Sequence, residues 1–188
     1  MTANSQAQPA VFLDRDGVIN RDHGYVSSWQ DFELLPGVVD ALRALQDLGY
    51  ALIIITNQSG IGRGYYDEAD FWSLMDQLLD HLSERQVFIS AVYFCPHHPN
   101  DALPEFRRVC DCRKPAPGMI LQAIEDLDLD PARSILVGDK PSDIEAGRHA
   151  GVPKLFFVNP DGALCEDATS VLDLADVVSQ LSKPVARV

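Results

Sequence analysis

Four short apolar runs, each stopping abruptly in a polar turn, constrain this chain more than any other feature: Val-Phe-Leu at 11–13, Ala-Leu-Ile-Ile-Ile at 51–55, Ile-Leu-Val at 135–137 and Leu-Phe-Phe-Val at 155–158. A strand with one wet face alternates apolar and polar residues, whereas a run that is apolar at every position needs cover on both faces, as in a parallel sheet. Between the runs, apolar residues recur at helical spacing: Val38, Leu42, Leu45 and Leu48, then Phe71, Leu74, Leu78 and Leu82, then Met119, Ile120, Ala123, Ile124 and Leu127. The pattern predicts one doubly wound α/β domain spanning 1–188, with a mainly parallel sheet and helices over 38–48, 67–84, 117–127 and 142–150. It also predicts strands over 87–94 and 154–158, a turn at 159–162 and a closing helix or strand–helix pair near 170–181. Ligands of such sheets bind beyond the carboxyl ends of the strands, so the turns after the runs are where function is expected.

The first run ends in Asp14-Arg15-Asp16-Gly17. Two carboxylates two residues apart at a strand end suit a hard cation such as Mg²⁺, which takes oxygen ligands. Alternatively, one carboxylate could attack phosphorus while the other moves the proton. An ordinary polar turn has the same composition, so partners elsewhere must decide. The second run ends in Thr56-Asn57-Gln58-Ser59-Gly60, where hydroxyl, amide and freed backbone N–H groups make a cradle for phosphate oxygens, and Gly60 to Gly64 reads as more loop. The run at 135–137 enters Gly138-Asp139-Lys140-Pro141-Ser142-Asp143, offering Asp139 as a third carboxylate. Ser142 with Glu145 reads there as a capping box, and Asp143 as the group that orients Lys114 or the metal ligands.

Cysteine usage adds a second kind of site. Cys95-x-His97 and Cys110-x-Cys112 bracket a polar insert rich in Pro, Asn and Arg, and such pairs suit a tetrahedral Zn²⁺ able to fold a loop too poor in apolar residues to fold alone. His97 and His98 are adjacent, so only one can face the metal. A filled site of this kind is structural, and Cys165, standing apart, reads as a free thiol. Arg113-Lys114 follows the last cysteine directly. Two solvated charges would look the same, but a rigid metal knot would aim them, and Arg113 can fork onto oxygens as Lys cannot.

Taken in order, LDRDGVIN, TNQSG, Lys114 ahead of Pro-x-Pro-Gly, and GDKPSD resemble the four motifs of the haloacid dehalogenase superfamily of phosphotransferases. The fuller matches LDRDGVINRDHGYV, TNQSGIGRGYY, CPHHP, CDCRKP and VGDK resemble its branch of heptose-bisphosphate and histidinol-phosphate phosphatases. The resemblance implies Asp14 as nucleophile, Asp16 as general acid and base, and Thr56 and Lys114 stabilising the phosphoryl group. It implies Mg²⁺ on Asp14, the backbone carbonyl of Asp16 and Asp139, and favours His97 as the zinc ligand beside Cys95, Cys110 and Cys112. The motifs leave no room for a large cap domain beyond the zinc loop at 95–112, so substrate choice falls to loops: Asp22, His23, Gly24 and Tyr25, then Asn57, Gln58 and Ser59, with Arg113, Lys114 and Lys140. The implied reaction removes the 7-phosphate of a heptose 1,7-bisphosphate for lipopolysaccharide synthesis. Histidinol phosphate is the rival substrate, although a cationic ligand would want acidic loops where this chain has Arg63, Arg113 and Lys140. A rival of another class is a non-catalytic zinc docking protein, against which the retained Asp14, Asp16, Lys114 and Asp139 argue.

Bulk properties exclude other classes. With 15 basic against 28 acidic residues and a net charge of −13, the chain lacks the electrostatic footprint of a nucleic-acid binder. No run approaches the roughly 18 apolar residues of a membrane span, and the polar start MTANSQAQPA is no secretory signal. A monomeric cytoplasmic enzyme is expected, frayed over 1–9, with a sugar bisphosphate as its partner.

Overall fold

A computed structural model describes residues 7–160, 162 and 165–182; the expected fraying of 1–6, and Asp161 of the 159–162 turn, fall outside the described residues. Strands β1 (Ala10–Leu13), β2 (Ala51–Asn57), β3 (Ile89–Cys95), β4 (Ile135–Gly138), β5 (Lys154–Val158) and β6 (Thr169–Val171) form one sheet, in the order β3-β2-β1-β4-β5-β6. Every neighbouring pair is parallel. The strand order reverses between β1 and β4, the place in a doubly wound sheet where a crevice opens at the carboxyl ends. Asp14 and Asp139, each the residue after its strand, stand on either side of that crevice.

The continuous apolar runs are explained by two cores, one on each face. Val11, Leu13, Leu52, Ile54, Ile135 and Val137 point to one face, under α1 (Val38–Asp47), α3 (Glu68–Ser83) and α6 (Leu174–Ser182). Ala10, Phe12, Ile53, Ile55 and Leu136 point to the other, under α4 (Gly118–Leu127) and α5 (Pro141–His149). Alternate residues along a strand face opposite ways, so burying both sets requires both layers of helices. Each fully buried Leu, Ile or Phe contributes about 1.5–3 kcal/mol relative to exposure, which anchors the central strands beneath the site.

Helix boundaries follow local chemistry. Asp67 and Asp70 cap α3 reciprocally: the Asp67 carboxylate accepts the Asp70 N–H at 2.8 Å and the Asp70 carboxylate the Asp67 N–H at 3.1 Å. At α5 the expected Ser142/Glu145 box is replaced by Asp143, whose carboxylate accepts the Lys140 N–H at 2.9 Å. Residues 60–64 were expected as loop, yet Ser59–Gly62 forms a short helix, α2. Leu127, expected in the buried stripe of α4, is exposed at its end. The start of the chain is pinned as early as residue 7: the Pro9 carbonyl accepts the Ala51 N–H at 2.9 Å, the Gln8 carbonyl accepts the Asp130 N–H at 2.9 Å, and Arg133 donates to the Ala7 carbonyl. Among the described residues, the stretches between β1 and α1, β2 and α3, and β3 and α4 hold only a 3₁₀ turn (Trp29–Asp31), α2 and the Cys/His loop, so no large cap domain covers the strand ends.

Candidate active site

The sheet brings four strand-end motifs to one point. Asp14 is 5% exposed, and its Oδ1 accepts the Arg15 N–H at 2.8 Å and meets the Lys114 ammonium at 2.9 Å. Lys114 is buried as well, and its other contacts are Asp143 Oδ1 at 2.8 Å and the Ile55 carbonyl at 2.9 Å. All three ammonium N–H donors are therefore used. Lys114 arrives not from a strand but from the loop beyond β3. The Asn57 amide clamps it there, donating to the Lys114 carbonyl and accepting its N–H, both at 3.1 Å.

The electrostatics follow from this crowding. Burial pushes the Asp14 carboxyl above its ordinary value, opposed by Lys114 and reinforced by Asp143. Burial works against the Lys114 ammonium, but the Asp14 and Asp143 carboxylates outweigh it and raise its pKa. Asp139 is pushed up to about 7, first by burial and then by the negative charge of Asp14. Its Oδ1 is buried with no hydrogen-bond partner. Carboxylate oxygens of Asp14, Asp139 and Asp143 lie within 4.8 Å of one another. An orphaned carboxylate oxygen in a nest of acids fits a hard divalent cation, which would relieve both the repulsion and the missing contact. Gly17 (φ +89°) lets the backbone of the Asp16 turn pass this nest: a Cβ there would come 2.2 Å from Asp139 Oδ2.

Asp16 sits apart from that nest, gripped by the fully buried Arg15. Arg15 Nη2 reaches both carboxylate oxygens at 2.9 Å and Nε reaches Oδ1 at 3.2 Å. Asn20 Nδ2 adds a contact at 3.0 Å and Gln58 Nε2 another at 3.1 Å. Arg15 is fixed in turn by the Val26 carbonyl at 2.9 Å and by the rings of Phe32 and Phe71. Sequence reasoning assigned Arg15 no role in the site; its partners Val26, Phe32 and Phe71 come from other segments, so no local pattern marks it. Thr56 is buried, and its Oγ1 accepts from Gln58 at 2.8 Å, which leaves the hydroxyl proton free to donate.

Above these residues lies a cavity of about 620 Å³. Asp16, Asp22, Tyr25, Arg113, Lys114 and Lys140 contribute to its walls, with Gly24, Asn57, Gln58 and Ser59. Lys140 meets Asp22 at 3.2 Å; burial works against the Lys140 ammonium, but Asp139, Asp14 and Asp22 raise its pKa. His23 is not brought in: its ring contacts Glu33 at 3.0 Å and lines a neighbouring cavity instead. Asn57 and Gln58, expected to touch substrate, instead spend their amides on Lys114, Thr56, Asp16 and Tyr66.

The Cys/His loop forms a second cluster. Cys95, Cys110, Cys112 and His97 Nδ1 lie within 4.8 Å of one another, with the sulfurs 3.0–3.6 Å apart and no disulfide. A tetrahedral Zn²⁺ with bonds of about 2.3 Å holds thiolates about 3.8 Å apart, so this donor set fits zinc after opening by several tenths of an ångström. Of the two histidines, His97 brings its ring nitrogen into the cluster, whereas His98 Nδ1 accepts N–H groups from Asn100 and Asp101. Arg113 donates to the His97 carbonyl at 3.0 Å, which ties the cavity wall to the cluster.

A family model for haloacid dehalogenase-like hydrolases matches residues 3–151. The chain belongs to this family. Within the haloacid dehalogenase-like hydrolases it is similar to the D-glycero-β-D-manno-heptose-1,7-bisphosphate 7-phosphatase of Salmonella typhi, at 45% identity over 95% of this chain and 98% of that one. It is also similar to the protein of the same name from Yersinia pestis, at 48% identity over 90% of each. Among solved structures it resembles the D,D-heptose 1,7-bisphosphate phosphatase of B. bronchiseptica complexed with magnesium and phosphate, with a TM-score of 0.80 and 33% identity over 92% of this chain and 97% of that one.

Proposed function

We propose that this hydrolase removes the 7-phosphate of D-glycero-β-D-manno-heptose 1,7-bisphosphate, leaving heptose 1-phosphate for lipopolysaccharide core synthesis, and that it does so as a cytoplasmic monomer. The observation that carries the reading is Asp14, a buried carboxylate held 2.9 Å from a buried lysine at the switch point of the sheet. The substrate is supported by relatives of that name matched over almost their whole length. Walls bearing Arg113 and Lys140 suit a second phosphate and disfavour cationic histidinol phosphate. No helix among the described residues is long and apolar enough to cross a membrane.

Asp14 attacks phosphorus in line with the sugar oxygen, forming a carboxylate O–P bond as the P–O bond to the sugar breaks. Asp16 gives the departing alkoxide its proton, then takes one from the water that attacks the aspartyl-phosphate and returns Asp14 as carboxylate. Lys114 neutralises charge on Asp14 and on the phosphoryl oxygens, while the Thr56 hydroxyl and the N–H groups of the turn after β2 donate to them. Asp14, Asp139 and the Asp16 carbonyl would hold Mg²⁺, which supplies further charge neutralisation when bound. Zn²⁺ on Cys95, His97, Cys110 and Cys112 would be structural, fixing the loop that delivers Arg113 and Lys114.

The test is phosphate release from heptose 1,7-bisphosphate and histidinol phosphate side by side, with Mg²⁺, for the parent protein and Asp14→Asn. Preference for the bisphosphate and loss of turnover in Asp14→Asn are expected. Preference for histidinol phosphate would overturn the substrate, and an undiminished Asp14→Asn the covalent mechanism.

A further inference from the structure

The amide of Gln58 spends every hydrogen-bonding atom inside the protein. The residue is 2% exposed; Nε2 donates to Asp16 Oδ2 at 3.1 Å and to Thr56 Oγ1 at 2.8 Å, and Oε1 accepts the Tyr66 hydroxyl at 2.5 Å. With both N–H donors engaged, Gln58 has no donor left to offer a phosphate oxygen. The other groups on the Asp16 carboxylate, Arg15 and Asn20, come from its own turn, and Arg15 is anchored to the Val26 carbonyl, Phe32 and Phe71, so neither links the carboxylate to β2. Gln58 is the contact that ties this carboxylate to β2, and so to Thr56. Tyr66 holds the amide from behind. Its ring is buried and packed so tightly on Gly60 that a Cβ there would lie 2.2 Å from it, which gives α2 its first glycine. Burial also pushes the Tyr66 phenol up to about 12, so it keeps the proton it donates.

We infer that Tyr66, acting through Gln58, is a positioning residue that sets the Asp16 carboxylate relative to the phosphoryl cradle and the leaving-group oxygen. The inference rests on the acid and base role given to Asp16 above. Without the phenol, the buried Gln58 carbonyl has no partner, and the side chain leaves its place to find one, releasing Asp16 from β2.

The consequence depends on the leaving group. A sugar alkoxide needs the proton of Asp16 to depart, whereas p-nitrophenolate leaves without one. Tyr66→Phe is therefore tested in the first turnover with Mg²⁺, on heptose 1,7-bisphosphate and on p-nitrophenyl phosphate. We expect heptose 1-phosphate formation in the first turnover to slow about tenfold or more, with the p-nitrophenol burst and both KM values within about twofold of the parent. Gln58→Leu should reproduce this split and carries the test should Tyr66→Phe fold poorly. Equal slowing on both substrates, or no slowing on either, would overturn the positioning role. Asp16→Asn separates the two claims: if it too slows both substrates equally, the acid role of Asp16 falls and the inference with it. If Asp16→Asn shows the split and Tyr66→Phe does not, the inference alone fails.

Discussion

Replacing Lys114 by methionine would remove the one cation within hydrogen-bond reach of both Asp14 and Asp143 among the described residues. Methionine nearly fills the same volume, so the main cost is electrostatic rather than a cavity. Two buried carboxylates, 5% and 1% exposed, would lose their counter-charge beside a third, Asp139. Breaking a buried ion pair by removing one partner costs about 3–5 kcal/mol. In a protein of this size each kcal/mol moves Tm by roughly 2–4 °C, so a fall of about 6–20 °C is expected. The sign of the pH dependence is fixed too. Without the ammonium, the Asp14 carboxyl, already pushed up by burial, rises further above its unfolded value, so the folded variant holds its proton more tightly. Its deficit is full at high pH and shrinks as pH falls through that raised value. Melting curves by circular dichroism in magnesium-free buffer should show a wide gap between parent and variant at pH 8 and a narrower one at pH 5. A Tm within about 2 °C of the parent at pH 8, or a gap that widens on acidification, would refute this account of the lysine. Turnover in the variant should fall about 10²–10³-fold, as for loss of one preorganised charge partner.

Two further outcomes are expected. Mg²⁺ binding, followed by calorimetry, should weaken as pH drops below about 7, because Asp139 with its pKa near that value must lose its proton to bind; a constant affinity from pH 8 to pH 6 would contradict the placing of the ion. Metal analysis should find about one zinc per chain, with Cys110→Ser losing it and melting lower, and a well-folded parent without zinc would end that reading.

The parts of this molecule legible in its sequence are those where a local rule and the tertiary structure agree. The runs at 11–13 and 135–137 are apolar at every position because both faces are covered, and the polar residue that ends each run is the one the crevice needs. The Cys-x-His and Cys-x-Cys spacing carried its own geometry. Contacts across long sequence distances were not legible. Asn57 clamping the backbone of Lys114, or Arg15 held by the Val26 carbonyl and by Phe32 and Phe71, depends on where separate segments meet. Residues 60–64 misled because glycine signals a loop by propensity, whereas Gly60 serves the close approach of Tyr66. His23 lies beside Asp22 and Gly24 in sequence, but its side chain turns to Glu33, and which way a loop residue points is decided by its partner.

The uncovered strand ends bear on what becomes of the aspartyl-phosphate proposed for Asp14. A lid that seals such an intermediate keeps water out and gives a bound alcohol time to accept the phosphoryl group, which is how the same chemistry can be turned to moving phosphates between hydroxyls. Here the loops after β1, β2 and β3 wall the site without roofing it, so bulk water, at about 55 molar, competes with every other acceptor from the moment the ester breaks. An open site of this kind favours hydrolysis of that proposed intermediate over transfer to a second hydroxyl, because water enters by the same door through which the first product leaves.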